Sequence, residues 1–76
     1  MKIKKYKNGT YYINTYISNV GEIIQIVDNT VRRLPHQTYF KDKVIQINIV
    51  KSIRYIDIKD LKTFKKLPTV KARLLL

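Results

Sequence analysis

Residues 44–58 read Val-Ile-Gln-Ile-Asn-Ile-Val-Lys-Ser-Ile-Arg-Tyr-Ile-Asp-Ile, and this stretch decides the fold class. Isoleucine alternates with polar amides over its first half, a period of two that is typical of a strand with one buried face. A helix fits some of the same spacings, but five isoleucines within residues 45–56 disfavour it because branching at Cβ restricts χ1 in a helix. The Lys51-Ser52 pair interrupts the alternation, so we expect a bulge or bend there and a further strand over residues 53–58.

The same reasoning divides the rest of the chain into strands, connections and one helix. The predicted strands are residues 10–17, 22–28, 38–40 with 44–50, and 69–75. The predicted connections are a turn at 18–21, a loop over 29–37 and a turn at 41–43. Both faces of 22–28 are apolar, which predicts a central strand covered on both sides. A short helix is predicted over 58–66, with Asp57 as its N-cap and Pro68 ending it.

Five or six short strands in 76 residues predict one small basic domain over residues 1–76. The predicted fold is mainly β, either a small barrel or a strongly bent antiparallel sheet of the SH3-like or OB-like type, with at most one short helix near 58–66. Closure into a barrel would remove exposed strand edges. No apolar run is long enough for a transmembrane helix, and no apolar segment follows the basic start. We therefore expect no membrane partner and a cytoplasmic location, in the host cell if the protein is viral.

The charge of the chain is concentrated near its two ends. Sixteen Lys and Arg against five Asp and Glu give a net charge of +11. Residues 1–7 contribute +4, residues 59–76 contribute +5, and residues 8–58 contribute +2. A domain this basic is typical of a polyanion binder, although a basic surface that serves only solubility is the alternative. If the fold brings the ends together, they form one basic face.

Three groups of side chains suit contact with nucleic acid. Tyr12 and Tyr16 form an aromatic row on the predicted polar face of the first strand, where they would stack bases unless the sheet half-buries them. Two arginines before Pro35 suit phosphates or base edges, and three lysines on the predicted helix suit phosphates. The candidate binding residues are Lys2, Lys4, Lys5, Lys7, Tyr12, Tyr16, Arg32, Arg33, Arg54, Lys62, Lys65, Lys66, Lys71 and Arg73. For each of them, an ordinary solvated side chain is the alternative.

Composition disfavours an enzyme. The chain has no cysteine and one histidine, so we expect no metal site, no cofactor and no small-molecule substrate. None of the five carboxylates lies in a catalytic motif, and neither a phosphate loop nor a nucleophile elbow is present. The remaining catalytic hypothesis is a small basic ribonuclease toxin that uses Arg32, Arg33, His36 and Tyr39.

The leading prediction is a non-enzymatic protein that binds DNA or RNA through phosphates, with bases stacked on tyrosines. The alternative is a small protein-binding module that docks on an acidic protein surface. A phage or mobile-element inhibitor and an assembly subunit are examples of such a module. Exposed strand edges and the apolar residues 74–76 favour this alternative.

Residues 4–24, which run from Lys-Lys-Tyr-Lys-Asn-Gly-Thr-Tyr-Tyr-Ile to Gly-Glu-Ile-Ile, resemble the first hairpin of the arm-type DNA-binding domains of tyrosine recombinases. That resemblance implies a basic, aromatic-rich, three-stranded sheet followed by a helix. Residues 38–58 depart from it because they predict further strands, so no residue role is transferred. In size and basicity the chain is also similar to small ribosomal proteins.

Overall fold

The computed structural model describes residues 1–16, 20–35 and 40–76, without the side chains of residues 40–42. The described elements are β1 Tyr11–Asn14, β2 Ile23–Pro35, β3 Phe40–Ile49, β4 Ser52–Asp57, a 3-10 helix Ile58–Thr63, β5 Phe64–Leu67 and α1 Thr69–Leu75. The predicted mainly β class is therefore confirmed. None of the helices in this part of the chain has the length and apolar character needed to span a membrane.

The five strands form one antiparallel sheet in the order β4-β3-β2-β1-β5. The sheet is open, with β4 and β5 at its two edges, so of the two predicted arrangements the closed barrel is wrong. Both edge strands are short, and the four-residue β5 carries Lys65 and Lys66 at its centre. The short, charged β5 edge resists pairing with other chains.

The hairpin of β3 and β4 confirms the interpretation of residues 44–58 as strands. Ile49 pairs with Ser52, so the chain reverses through Val50 and Lys51, whose φ angles are 45° and 67°. The predicted bend is therefore a two-residue turn that begins one residue earlier. The turn predicted at 41–43 is wrong, because these residues continue β3.

Strand β2 is longer than predicted, and the loop expected over 29–37 is wrong for residues 29–35. Positions 36–37 lie outside the described residues. The chain start pairs with one side of β2, where the Val31 N–H donates to the Met1 carbonyl at 2.7 Å. β3 pairs with the other side. Register shifts around Asp28 let its side chain bond the Thr30 N–H without ending the strand.

One face of the sheet carries the core, which residues 1–9 and the 3-10 helix cover. Its buried members are Tyr6, Tyr12, Ile24, Ile26, Ile45, Ile47, Leu61 and Phe64. The face of the first strand predicted to be polar is thus the core face, with Asn14 also buried. Strand β2 is central, as predicted, but Val27 is 37% exposed, so its second face is not fully covered.

The end of the chain differs most from expectation. Asp57 is the N-cap of the 3-10 helix, although its side chain makes no capping hydrogen bond. That helix ends at Thr63, where the predicted one ran to 66, and the strand predicted over 69–75 is α1. Pro68 directly precedes α1, because its fixed φ suits a helix start and its missing N–H costs nothing there.

Candidate nucleic-acid interface

Three of the predicted phosphate-binding lysines line one open groove of about 420 Å³, which we call the lysine groove. Lys5 comes from the chain start, Lys62 from the 3-10 helix and Lys66 from β5. The rest of the lining is aromatic and aliphatic: Tyr6, Tyr12, Leu61 and Phe64. No carboxylate of the described residues is part of it. One lysine of the first charged segment and two of the last therefore lie around the same groove.

Lys5 is positioned by a loop, residues 4–9, that leaves the edge of β2 and folds over the core. Tyr6 is the buried residue of this loop, with its ring centroid 5.2 Å from that of Tyr12. The Asn29 side chain holds the loop, because its Nδ2 donates to the carbonyls of Tyr6 at 2.9 Å and Ile3 at 3.3 Å. The Lys5 Nζ lies 5.6 Å from the centroid of the Tyr6 ring, a cation–π contact that keeps the ammonium at the groove.

Lys62 is positioned by the burial of its neighbour Leu61. Side chains three apart superpose in a 3-10 helix, so fully buried Leu61 fixes the rotation of the whole segment. Lys59 and Lys62 then lie one above the other on an exposed side of the helix. Their spacing directs two ammonium groups toward the same stretch of surface.

Lys66 reaches the groove because it lies on a strand. It is paired with Tyr12 of β1, and side chains alternate between the two faces of a sheet. Lys65 is paired with Ile13 and belongs to the opposite face, so it does not line the groove. The prediction that Lys62, Lys65 and Lys66 share one helical face is wrong, because the helix ends at Thr63.

The two tyrosines predicted to stack bases do not form an exposed row. Tyr12 is 7% exposed and packs in the core, so its ring faces are not accessible to a base. Tyr16 is 57% exposed. Its N–H donates to Asn14 Oδ1 at 2.9 Å, which fixes its backbone just beyond β1. Of this pair, only Tyr16 has a ring that a base can reach.

Arg32 is engaged within β2. Its guanidinium lies 2.6 Å from Asp28 Oδ2, in an ion pair along the strand. Hydrogen bonds from the Thr30 N–H and hydroxyl, and then from Arg32, lower the pKa of Asp28 to about 2. An arginine paired in this way is less available to a phosphate.

The other candidate cations are exposed but lie outside the lysine groove. They are Lys2, Lys4 and Lys7 near the chain start, Arg33 on β2, Arg54 on β4, and Lys71 and Arg73 on α1. His36 and Tyr39 lie outside the described residues, so the ribonuclease hypothesis stays a prediction.

Several residues of the site were not among the sequence-based candidates. In the sequence, Asn29 is recognisable only as a residue type common in turns. Its side chain can hold the loop only because the chain start pairs with β2. Lys59 could have been identified from the sequence, since it lies three residues before Lys62. Glu22 and Asp60 line a neighbouring cavity, and only tertiary structure brings these two residues together.

The geometry is the sole basis for assigning this surface, because neither a known protein family, nor a curated protein, nor a solved structure matches the chain.

Proposed function

We propose that the protein is a non-enzymatic nucleic-acid-binding protein that holds the phosphate backbone of a single strand in the lysine groove. The observation that carries this proposal is the convergence of Lys5, Lys62 and Lys66 around one groove without a carboxylate in its described lining. Lysines clustered in this way attract a chain of phosphates and release its condensed counterions.

A single strand suits the groove better than a duplex. The aromatic rings of the groove floor are buried, but Tyr16 offers an exposed ring in the adjoining cavity, which shares Lys62 with the groove. Unpaired bases stack on such rings, whereas the bases of a duplex are already stacked on each other. With this function, the protein would be a cytoplasmic protein of phage or ribosomal type.

Fluorescence anisotropy with labelled single-stranded DNA, single-stranded RNA and duplex DNA tests the proposal. Three engaged lysines predict a slope of log affinity against log salt of about −2, or roughly a fifteenfold loss between 50 and 200 mM salt. A single strand should bind more tightly than the duplex at every salt concentration. An affinity that does not change with salt concentration would contradict the proposed phosphate contacts.

A protein-binding module is the second candidate, and the edge strand β4 favours it. Ile53 and Tyr55 are 55% and 40% exposed on this edge, and Leu74 of α1 is 82% exposed. An unpaired edge with apolar side chains can accept a strand from another protein. A partner that stays bound after nuclease digestion, and is lost in Ile53→Lys, would favour this function over nucleic-acid binding.

A further inference from the structure

A second cavity of about 470 Å³ adjoins the lysine groove and shares Lys62 and Phe64 with it. Its other lining residues are Asn14, Tyr16, Glu22, Ile56, Lys59, Asp60 and Thr63. It therefore combines one exposed aromatic ring, two carboxylates and two ammonium groups. The lysine groove has no such mixture, so the two cavities suit different parts of a ligand.

Hydrogen bonds to Asn14 and Thr63 hold the cavity walls together. Asn14 Oδ1 accepts from the Tyr16 N–H at 2.9 Å and from the Thr63 hydroxyl at 3.0 Å. The Asn14 N–H donates to the Glu22 carbonyl at 2.8 Å, and the Thr63 hydroxyl lies 3.2 Å from the Asp60 carbonyl. The backbones that carry the ring and both carboxylates are thus fixed relative to one another.

The chemistry of these walls favours one kind of base. Carboxylates accept hydrogen bonds, so they suit a base edge with donors and oppose carbonyl groups or phosphates. Guanine presents two adjacent donors, N1–H and N2–H, beside the acceptor O6, whereas adenine and cytosine present one amino donor beside a ring-nitrogen acceptor. Uracil and thymine present one donor between two carbonyl acceptors, which would face the carboxylates unfavourably.

We propose that this cavity binds a guanine base of the strand whose phosphates occupy the lysine groove. The base stacks on Tyr16, its N1–H and N2–H donate to the carboxylates of Glu22 and Asp60, and O6 accepts from Lys59. Lys62 lies at the junction of the two cavities, where the phosphate next to the bound base passes. This inference rests on the proposed function and adds a base preference to it.

Nonamers with a single variable base test the inference. Thymidine and uridine hosts carrying guanine, adenine or cytosine at the central position are compared with the unsubstituted hosts by fluorescence anisotropy. We expect central guanine to raise the affinity about tenfold in at least one host series, and adenine or cytosine less than threefold. Equal affinities for all four central bases, or a preference for adenine or cytosine, would reject the guanine site and leave the proposed function intact. Failure of every oligonucleotide to bind would reject both.

Charge-removing variants separate recognition from general electrostatics. Glu22→Gln and Asp60→Asn should each reduce the guanine preference below threefold, while affinity for the unsubstituted host stays equal or rises because a repelling charge is lost. Asp57→Asn removes the same charge outside the cavity and should keep the full preference. A full preference in both cavity variants, or the same loss in the Asp57 variant, would overturn the assignment.

Discussion

Asn29 supplies the buried side-chain hydrogen bond that holds the loop carrying Lys5. It is 9% exposed, and its two side-chain hydrogen bonds fasten the loop 4–9 to the central strand. The sequence does not predict that Asn29 holds this loop. Asn29 follows Asp28 in a segment whose composition indicates a connection between strands rather than a strand. Only pairing with the chain start on one side and β3 on the other makes this segment a strand.

Replacing Asn29 with Ala should lower the free energy of unfolding by about 1–3 kcal/mol, because the Tyr6 carbonyl loses its side-chain donor beneath the loop and the Ile3 carbonyl keeps only its bond from the Tyr6 N–H. Urea denaturation followed by circular dichroism measures the change. Gln25→Ala is the matched control, since its side chain makes one exposed bond to the Gly9 carbonyl. That control should change stability by less than about 0.5 kcal/mol. Equal stability of the Asn29 variant and the wild type would show that the clamp does not hold the loop.

Asp28 gives the stability a specific pH dependence. Its pKa falls from 3.8 to about 2 on folding, so the ionised carboxylate favours the folded state. This contribution is fully present above pH 4 and is lost as the pH falls through 2. The stability advantage of the wild type over Asp28→Asn should therefore shrink between pH 5 and pH 2, as urea denaturation at several pH values measures. An advantage that stays constant across this range would contradict the assigned hydrogen bonds.

The elements that sequence predicted well are those whose pattern is local. The β3–β4 hairpin and the pairing of β1 with β2 follow from alternation and from turn residues such as Gly21, whose φ is +91°. The hydrophobic pattern gave wrong predictions where its period changes from helical to strand-like within a few residues. At Phe64 the chain passes from a 3-10 helix to a strand, and Lys65 and Lys66 separate onto opposite faces. In α1 the packed side of the helix is marked by the fully buried Ala72, and the apparent alternation of residues 69–75 does not correspond to a strand.

The turn between β3 and β4 is a place where sequence and structure disagree. Both central residues have positive φ, as a type I′ turn requires, but Val50 is β-branched and Lys51 is not glycine. Val50 is 76% exposed, so its side chain contributes little packing. The double substitution Val50→Asn with Lys51→Gly should raise the free energy of unfolding by about 1 kcal/mol. Thermal and urea denaturation measure this change, and a decrease would mean that the turn is not of this type.

At the scale of the whole molecule, the fold converts a charge pattern at the two ends of the sequence into one groove. The sequence singled out Lys5, Lys62 and Lys66, but as members of two separate groups. It did not separate them from cations elsewhere on the surface, because charge counting carries no information about faces. The order of the strands and the burial of Tyr6 and Leu61 determine which lysines line the groove.

We propose that phosphates bind in the lysine groove rather than to the overall positive charge of the protein. Two variants with the same net charge test it, namely Lys5, Lys62 and Lys66 all changed to Gln, and Lys51, Lys65 and Lys71 all changed to Gln. The measurement is the affinity for a single-stranded oligonucleotide at several salt concentrations. The groove variant should lose at least tenfold in affinity at about 100 mM salt, with a salt slope shallower by about 2, while the control loses less than threefold. Equal losses in both variants would contradict the claim and assign binding to net charge alone.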